Sequence, residues 1–221
     1  MNDITQVGRW IGASMLLSFG FGIYSNFKLQ TDLFAGGGLL VNAAEHPYRI
    51  GAIALIGLGT SLISLVVATL VSANFRRRYP ALTTFYFGLV VAALAISLIE
   101  CSTLVAFRHL SESYAAAGAQ GDAFLPAKTA LTGLRNSIHF MDVLIGGMGV
   151  LVLFAFLFRA RLVPRLLAGL GIAAALAQMV TVARPLFGLP VIYPLLMPLA
   201  LTYLSVLCWL LVKGFPRGME Q

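Results

Sequence analysis

The sequence predicts an all-α fold, a polytopic membrane helix bundle that forms one integral membrane domain over residues 1–221. Three observations predict it. Of the 221 residues, 59% are hydrophobic and 10% are charged, whereas an ordinary globular domain has roughly 45–50% and about 25%. Six apolar segments are each long enough to cross a bilayer, which takes about 20 residues. Arginines gather in alternate connections between these segments, as topology signals do.

The six predicted transmembrane helices follow the apolar segments of the chain. Their approximate ranges are 10–27, 50–73, 81–107, 137–158, 166–187 and 191–212. Several boundaries carry a proline, such as Pro47, Pro80 and Pro164, because proline is tolerated in the first turn of a helix and tends to end a preceding one. This leaves no room for a sizeable soluble domain.

The basic residues predict the orientation of the bundle. They flank the first and last helices and fill the connections between helices two and three and between helices four and five, which all fall on one side. Because Lys and Arg mark the cytoplasmic side, both termini are predicted to be cytoplasmic, in a bacterial cytoplasmic (inner) membrane. The residues concerned are Arg9, Arg76, Arg77, Arg78, Arg159, Arg161, Arg165, Lys213 and Arg217.

The formal net charge of +7 is explained by these topology signals. No stripe of Lys and Arg alternates with stacking aromatic residues, so nucleic acid is not an expected partner. The expected partners are membrane lipids. An oligomer stays open, since Gly57 and Gly59 can pack against another subunit or against a neighbouring helix.

The long connection 108–136, on the opposite side, contains two short helical patterns. One is Ser111–Ala117, closed by Gly118, and the other is Pro126–Leu131, closed by Gly133. Glycine often follows the last turn of a helix. The pattern therefore predicts two short helices at the outer interface, with two mobile loops as the alternative.

Ionisable side chains inside the predicted spans indicate where a site lies. Such side chains are costly in lipid and usually face the bundle interior or a water-filled cavity. Glu100, His139, Asp142 and Arg184 all fall toward the outer side of their helices. Polar residues at helical spacing extend three of these helices into stripes, because residues three and four apart share a face. The stripes are Ser97–Glu100–Thr103, Asn136–His139–Asp142 and Gln178–Thr181–Arg184.

The stripes predict a hydrated pocket that opens outward above a packed inner half. Glu100 and Arg184 would form a charge pair at its floor, and His139 with Asp142 would form a titratable wall. The rim would consist of His46, Tyr48 and Tyr193. The plainer alternatives are an ion pair that only holds two helices together and histidines that only lie at the interface.

A divalent metal is the other interpretation of these side chains. His139 and Asp142 could supply two ligands from one helix, with Glu100 or His46 supplying others, since zinc binds imidazole nitrogen and carboxylate oxygen. The spacing argues against it: the chain has no HExxH and no CxxC pattern. The cofactor is accordingly left unknown.

Two stretches carry a family resemblance. Arg49 and Gly51 open a long aliphatic run, and His139 stands seven residues before Gly146, upstream of Val163-Pro164-Arg165-Leu166-Leu167. From about residue 8 to residue 214, the chain resembles the small bacterial membrane proteins of the domain-of-unknown-function 4386 family. The resemblance implies a membrane helix bundle and no established activity. At the Asp142 position that family more often has a small residue.

The expected function is the binding of a small or lipid-like ligand in the outward-facing pocket, as an accessory or sensor protein. The alternative is a membrane-embedded metal-dependent hydrolase acting on a lipid or small amphiphile, with a carboxylate as metal ligand or general base. A small transporter is a third hypothesis. The predicted inner half shows no polar pathway, which argues against transport by alternating access. Catalytic residues stay unknown.

Overall fold

The computed structural model describes residues 3–119 and 121–216, and within these ranges the chain is helical and contains no strand. A π-helical turn, Ser25–Leu29, joins the first two helices, and two 3₁₀ turns, Arg184–Phe187 and Tyr193–Leu196, lie between the last two. The helices are α1 Ile4–Tyr24, α2 Gln30–Phe34, α3 Leu39–Glu45, α4 Pro47–Phe75, α5 Pro80–Ala116, α6 Phe124–Arg159, α7 Arg165–Ala183 and α8 Met197–Lys213.

Five helical segments are long and apolar enough to cross a membrane. They are Pro47–Phe75, Pro80–Ala116, Phe124–Arg159, Arg165–Phe187 and Tyr193–Lys213. The prediction of a multi-pass membrane helix bundle is thereby confirmed in its general form. The first predicted span corresponds to α1, which is not among these five.

The six long helices form a closed ring in chain order. Each of α1, α4, α5, α6 and α7 packs against the next long helix, and α8 packs against α1. Two glycines one turn apart allow the closing contact. A Cβ added to Gly8 would lie 2.4 Å from the backbone nitrogen of Phe215, and one added to Gly12 would lie 2.9 Å from that of Leu211. The pairing runs antiparallel, since the later glycine meets the earlier partner.

One end of the ring is densely packed, and we call it the arginine end because it carries the short connections 76–79 and 160–164. Phe75 packs edge-on against Phe156 and Phe215, with ring centroids 5.1 and 5.7 Å away. On the same side, Gly171 approaches Phe154 so closely that an added Cβ would lie 2.2 Å from its ring. Close packing of small and large residues is what holds membrane helices together. The described ends of α1 and α8 both lie at this end.

At the other end, α5 and α6 extend into a two-helix stalk. The 37 residues of α5 and the 36 of α6 correspond to about 55 Å each at 1.5 Å per residue, against about 30 Å for the hydrocarbon core. The two short helices predicted between residues 108 and 136 are therefore wrong as separate elements, since they continue α5 and α6. Gly118, at φ +76°, does end the first, but Gly133 lies inside α6.

The short helices α2 and α3 pack against the base of the stalk. Leu33, Leu39 and Ala43 are buried against Ile50 and Phe107 of α4 and α5. The amide of Asn42 donates hydrogen bonds to the carbonyls of Asp32 and Ala35, at 2.9 and 2.8 Å. This connection is thus a folded cap over one side of the ring.

Candidate functional site

A buried ionic cluster joins α5 to α6 below the stalk. Oε1 of Glu100 lies 3.3 Å from a terminal nitrogen of Arg135 and 2.9 Å from Nδ1 of His139. The Glu100 and Arg135 side chains are 14% and 11% exposed, and that of His139 is 38% exposed. Because an ionised carboxylate only accepts hydrogen bonds, Nδ1 of His139 carries the proton of this contact. We call Glu100, Arg135 and His139 the ionic cluster.

Arg135 is the member of the cluster that was not predicted from the sequence. Its guanidinium also donates to Oδ1 of Asn136 at 3.4 Å, and its Cζ lies 4.9 Å from the ring centroid of Phe34 in α2. The signal that could have found it was its spacing, four residues before His139 on one helix face. The predicted helix begins at residue 137, which leaves Arg135 in a loop, whereas α6 begins at Phe124 and includes Arg135.

The predicted ion pair between Glu100 and Arg184 is wrong. Glu100 is paired with Arg135 instead, and Nε of Arg184 donates to the carbonyl of Pro190 at 2.8 Å. Arg184 lies beyond the end of α7 in a 3₁₀ turn, so its side chain folds back on the following loop rather than into the ring.

A cavity of about 240 Å³ occupies the middle of the ring. Its wall comes from α1, α4, α5, α6 and α8, and it combines aliphatic side chains with hydroxyl groups, two glycines and one carboxylate. The polar lining consists of Ser14, Ser18, Thr60, Ser61, Ser64, Tyr86, Ser97, Asp142 and Tyr203. Most of these residues were not predicted, since serine and threonine in apolar helices are common and carry no distinctive pattern.

The ionic cluster lies directly above the stalk-facing end of this cavity. Ser97 of α5 and Asp142 of α6 line the cavity, and Glu100 and His139 stand three residues farther toward the stalk on the same two helices. Three helical residues correspond to about 4.5 Å. Of the predicted polar face Asn136–His139–Asp142 on α6, Asp142 lines the cavity, and Gly146 one turn farther along the helix also lines it.

The cavity extends deeper than the sequence predicts. Tyr86 follows the start of α5 by six residues and lines the cavity together with Val67 and Leu153, which belong to the main hydrophobic core of the ring. An inner half that is packed throughout was expected. The polar lining of the cavity continues inward because one face of α4 points into the ring. That face carries Thr60, Ser61 and Ser64.

The third predicted stripe, on α7, does not line the cavity. Thr181 is fully buried and exchanges hydrogen bonds with the backbone of Ile192, accepting from its N–H at 2.6 Å and donating to its carbonyl at 3.3 Å. The side-chain oxygen of Gln178 lies 3.5 Å from the Cβ position of Gly147 and has no hydrogen-bond partner among the described residues. These side chains organise the α6–α7–α8 contact.

The predicted rim residues lie apart from the cavity lining. Tyr48 is 91% exposed and Tyr193 is 74% exposed. His46 directly precedes α4, and its side chain forms no capping hydrogen bond with the described start of that helix. The Cys101 thiol, next to Glu100, donates to the carbonyl of Ala54 at 3.8 Å, so Ala54 of α4 lies at the depth of the ionic cluster. His46 precedes Ala54 by eight residues, which correspond to about 12 Å along a helix. His46 is therefore about that much farther out than the ionic cluster.

The four candidate metal ligands do not form one set. Over residues 3–119 and 121–216, no three side chains of His, Cys, Asp and Glu form a group that could hold a metal ion. Glu100 and His139 are in contact, but Arg135 supplies the adjacent charge, and His46 lies well outside this region. A guanidinium at that distance opposes the binding of a divalent cation by the same carboxylate.

The ring of apolar helices around a polar interior defines a multi-pass α-helical membrane protein. Gly57, a candidate for subunit contact, faces Cys101 of the neighbouring helix, with Sγ 3.0 Å from its Cβ position.

A family model described as Domain of unknown function (DUF4386) matches residues 10–214. The chain belongs to this family, which confirms the resemblance seen in the sequence. Neither the comparison with curated proteins nor that with solved structures gives a match.

Proposed function

We propose that this protein binds a small or lipid-like ligand in its central cavity and acts as an accessory or sensor protein of the membrane. The observation that carries the proposal is the cavity of about 240 Å³, lined by hydroxyl groups and the Asp142 carboxylate within apolar helices. A carboxylate in a span is costly unless a partner or water meets it. The cavity offers the space for such a partner.

We propose α1 as the sixth span. Its 21 residues correspond to about 31 Å, close to the thickness of the hydrocarbon core. Gly12 packs against α8, Gly8 packs against the residues that directly follow α8, and Phe19 stacks on Tyr203 with ring centroids 6.1 Å apart. Since the segment Tyr193–Lys213, which contains α8, has the length and composition of a span, a helix aligned with it at the same depth is supported as another.

We also propose that the arginine end faces the cytoplasm of a bacterial inner membrane. The connection 76–79 carries Arg76, Arg77 and Arg78, and Arg159, at the end of α6, adjoins the other short connection. Short loops rich in arginine are retained on the cytoplasmic side. The stalk and the ionic cluster then lie toward the outside, and a ligand reaches the cavity from there or from the outer leaflet.

The ionic cluster gives the cavity a fixed wall. Glu100 ties two positions of α6, Arg135 and His139, to α5. Two contacts to one carboxylate restrict the relative movement of the two helices at this point. Asp142, one turn below His139, is therefore presented to the cavity from a segment held against α5, and ligand selection would depend on Asp142 and the hydroxyl groups.

The experiment compares a filled cavity with an open one. Gly146 lines the cavity, and apart from its chain neighbours and its own helix backbone no described atom lies within 4 Å of its Cβ position; the same holds for Gly88, which is exposed and does not line it. Wild type, Gly146→Leu and Gly88→Leu are purified in detergent, extracted with solvent and analysed by mass spectrometry. A compound that accompanies wild type and Gly88→Leu but not Gly146→Leu supports the proposal. Identical extracts from all three proteins contradict it.

A further inference from the structure

We propose that the ligand is a small organic cation with N–H donors, a protonated amine, for which Asp142 is the counter-ion. This inference rests on the proposed function and specifies the ligand class. Among the described residues, Asp142 forms no salt bridge, whereas Glu100 is paired with Arg135 and His139. Within the described ranges, the Asp142 carboxyl group thus faces the cavity without a cationic side chain in contact with it.

A net charge in a low-dielectric region favours a counter-charge nearby. Among the residues that the structure describes, no Lys, Arg or His lines the cavity, so none of them supplies a cation within it. A ligand ammonium placed at the stalk-facing end of the cavity would give the Asp142 carboxylate the partner that it lacks. An anionic ligand would instead be repelled by that carboxylate.

The hydroxyl groups of α4 add hydrogen-bond acceptors. The Thr60 hydroxyl donates to the carbonyls of Ile56 and Gly57, both at 3.0 Å, and the Ser64 hydroxyl donates to the carbonyl of Thr60 at 3.0 Å. Their protons are thereby used within the helix, and their lone pairs remain available to the cavity. An ammonium group has three donors and no acceptor, so it matches such a wall better than a carbonyl ligand does.

The rest of the wall is suited to a short apolar tail. Met15, Leu89, Leu94 and Ile145 supply aliphatic surface to the same cavity. A mostly apolar pocket with a few placed polar groups is the usual form of a small-molecule site. The chemistry is thus that of a short alkylammonium, with its charged head near Asp142 and its chain against the aliphatic side chains.

The test compares two probes of the same carbon skeleton, 3-methylbutylammonium and 3-methylbutan-1-ol, by calorimetric titration of detergent-purified protein. We expect wild type to bind the ammonium at least about tenfold more tightly, a difference of about 1.4 kcal/mol. Asp142→Asn should abolish that preference. Asp122→Asn, an exposed aspartate in the loop between α5 and α6, is the matched control and should retain it.

The outcomes separate this inference from the proposed function. Saturable binding of the alcohol at least as tight as that of the ammonium overturns the cation and leaves a ligand cavity. If neither probe binds saturably, the cation is overturned, while the extracts of wild type and Gly146→Leu still decide on the cavity itself. The comparison of probes on wild type requires no variant, so it remains decisive even if Asp142→Asn does not fold.

Discussion

Arg135 and His139, one turn apart on α6, share a single acceptor atom, Oε1 of Glu100 on α5. One carboxylate therefore joins two long helices at the base of the stalk. The Glu100–Arg135 contact is largely shielded from solvent, with side chains 14% and 11% exposed, so water replaces a lost partner there poorly. The stability of the α5–α6 pair should depend on this one side chain more than on any ion pair of the stalk.

Glu100→Gln tests that dependence. Removing the carboxylate charge leaves Arg135 buried without its counter-charge, which typically costs roughly 3–5 kcal/mol. Glu112→Gln is the control, because Glu112 is 46% exposed in its pair with Arg108 and such pairs contribute less than about 1 kcal/mol. Unfolding by denaturant in a fixed detergent gives both free energies. Equal losses would contradict a structural role of the cluster.

Gly8→Ala should destabilise the ring, because the added methyl group meets backbone atoms of Gly214 and Phe215 that no side-chain rotation can move. Overpacking of this kind costs roughly 1–3 kcal/mol. In the same helix, apart from its chain neighbours and the helix backbone, Gly20 has no described atom within 4 Å of its Cβ position. Gly20→Ala should therefore preserve or raise the melting temperature, since alanine is the better helix former. A similar melting temperature for both variants would argue against the α1–α8 contact.

Thr181→Val should cost stability and leave ligand capture intact. The variant removes the hydroxyl that binds both backbone groups of Ile192, and an unpaired buried donor costs about 1–3 kcal/mol. Thr69→Val replaces an exposed threonine of α4 that bonds only within its helix, and its effect should stay within about 0.5 kcal/mol. Loss of the co-purifying compound in Thr181→Val would instead assign Thr181 to the ligand site.

The proposed orientation predicts opposite labelling of two exposed positions. After Cys101 and Cys208 are replaced by serine, Asp122→Cys near the tip of the stalk should react with a membrane-impermeant maleimide in intact cells. Arg77→Cys, at the arginine end, should react only after the membrane is permeabilised. The reverse labelling result would show that the bundle has the opposite orientation in the membrane. Reaction at both positions in intact cells would contradict a single orientation.

Acid should release α2 from α4 through the pair of Asp32 and Arg49. The hydrogen bond and the positive charge of Arg49 hold the pKa of the exposed Asp32 carboxyl below its usual 3.8. A lowered pKa means that the stabilisation is present above pH 3.8 and is lost as the pH falls through the lowered value. The difference in melting temperature between wild type and Asp32→Asn should be constant near neutral pH and vanish only in strong acid. A difference that vanishes well above pH 3.8 would contradict it.

The sequence predicted the membrane helices because hydrophobic length is a direct consequence of bilayer thickness. It misjudged α5 and α6, whose hydrophobic parts end near residue 107 and begin near residue 137, because helical structure continues where hydrophobicity stops. Nothing between Phe107 and Ala116 breaks a helix, and Pro126 falls in the first turn of α6, where it is tolerated. The length of the apolar segments thus predicts the membrane-crossing parts of α5 and α6 but not where these helices end or begin.

The site was predicted in part, for a related reason. Helical spacing placed Asp142 and Ser97 on faces that do turn into the ring. Opposite charges at one depth also predicted an ion pair for Glu100, but depth does not say which helices are neighbours. α5 packs against α6 rather than α7, and this made Arg135 the partner instead of Arg184. Only the order of the helices in the ring settles that choice.

The seam between α1 and α8 sets a sequence of events for biosynthesis. Arg9 donates to the carbonyl of Val212, 203 residues away along the chain, whereas the other ring contacts join long helices that follow one another along the chain. In the proposed six-span arrangement, the surface of α1 that carries Gly8 and Gly12 has no packing partner until α8 has been synthesised. The cavity is therefore enclosed only once α8 joins the ring, and a chain truncated before α8 would display an uncovered glycine groove for membrane quality-control proteases to recognise.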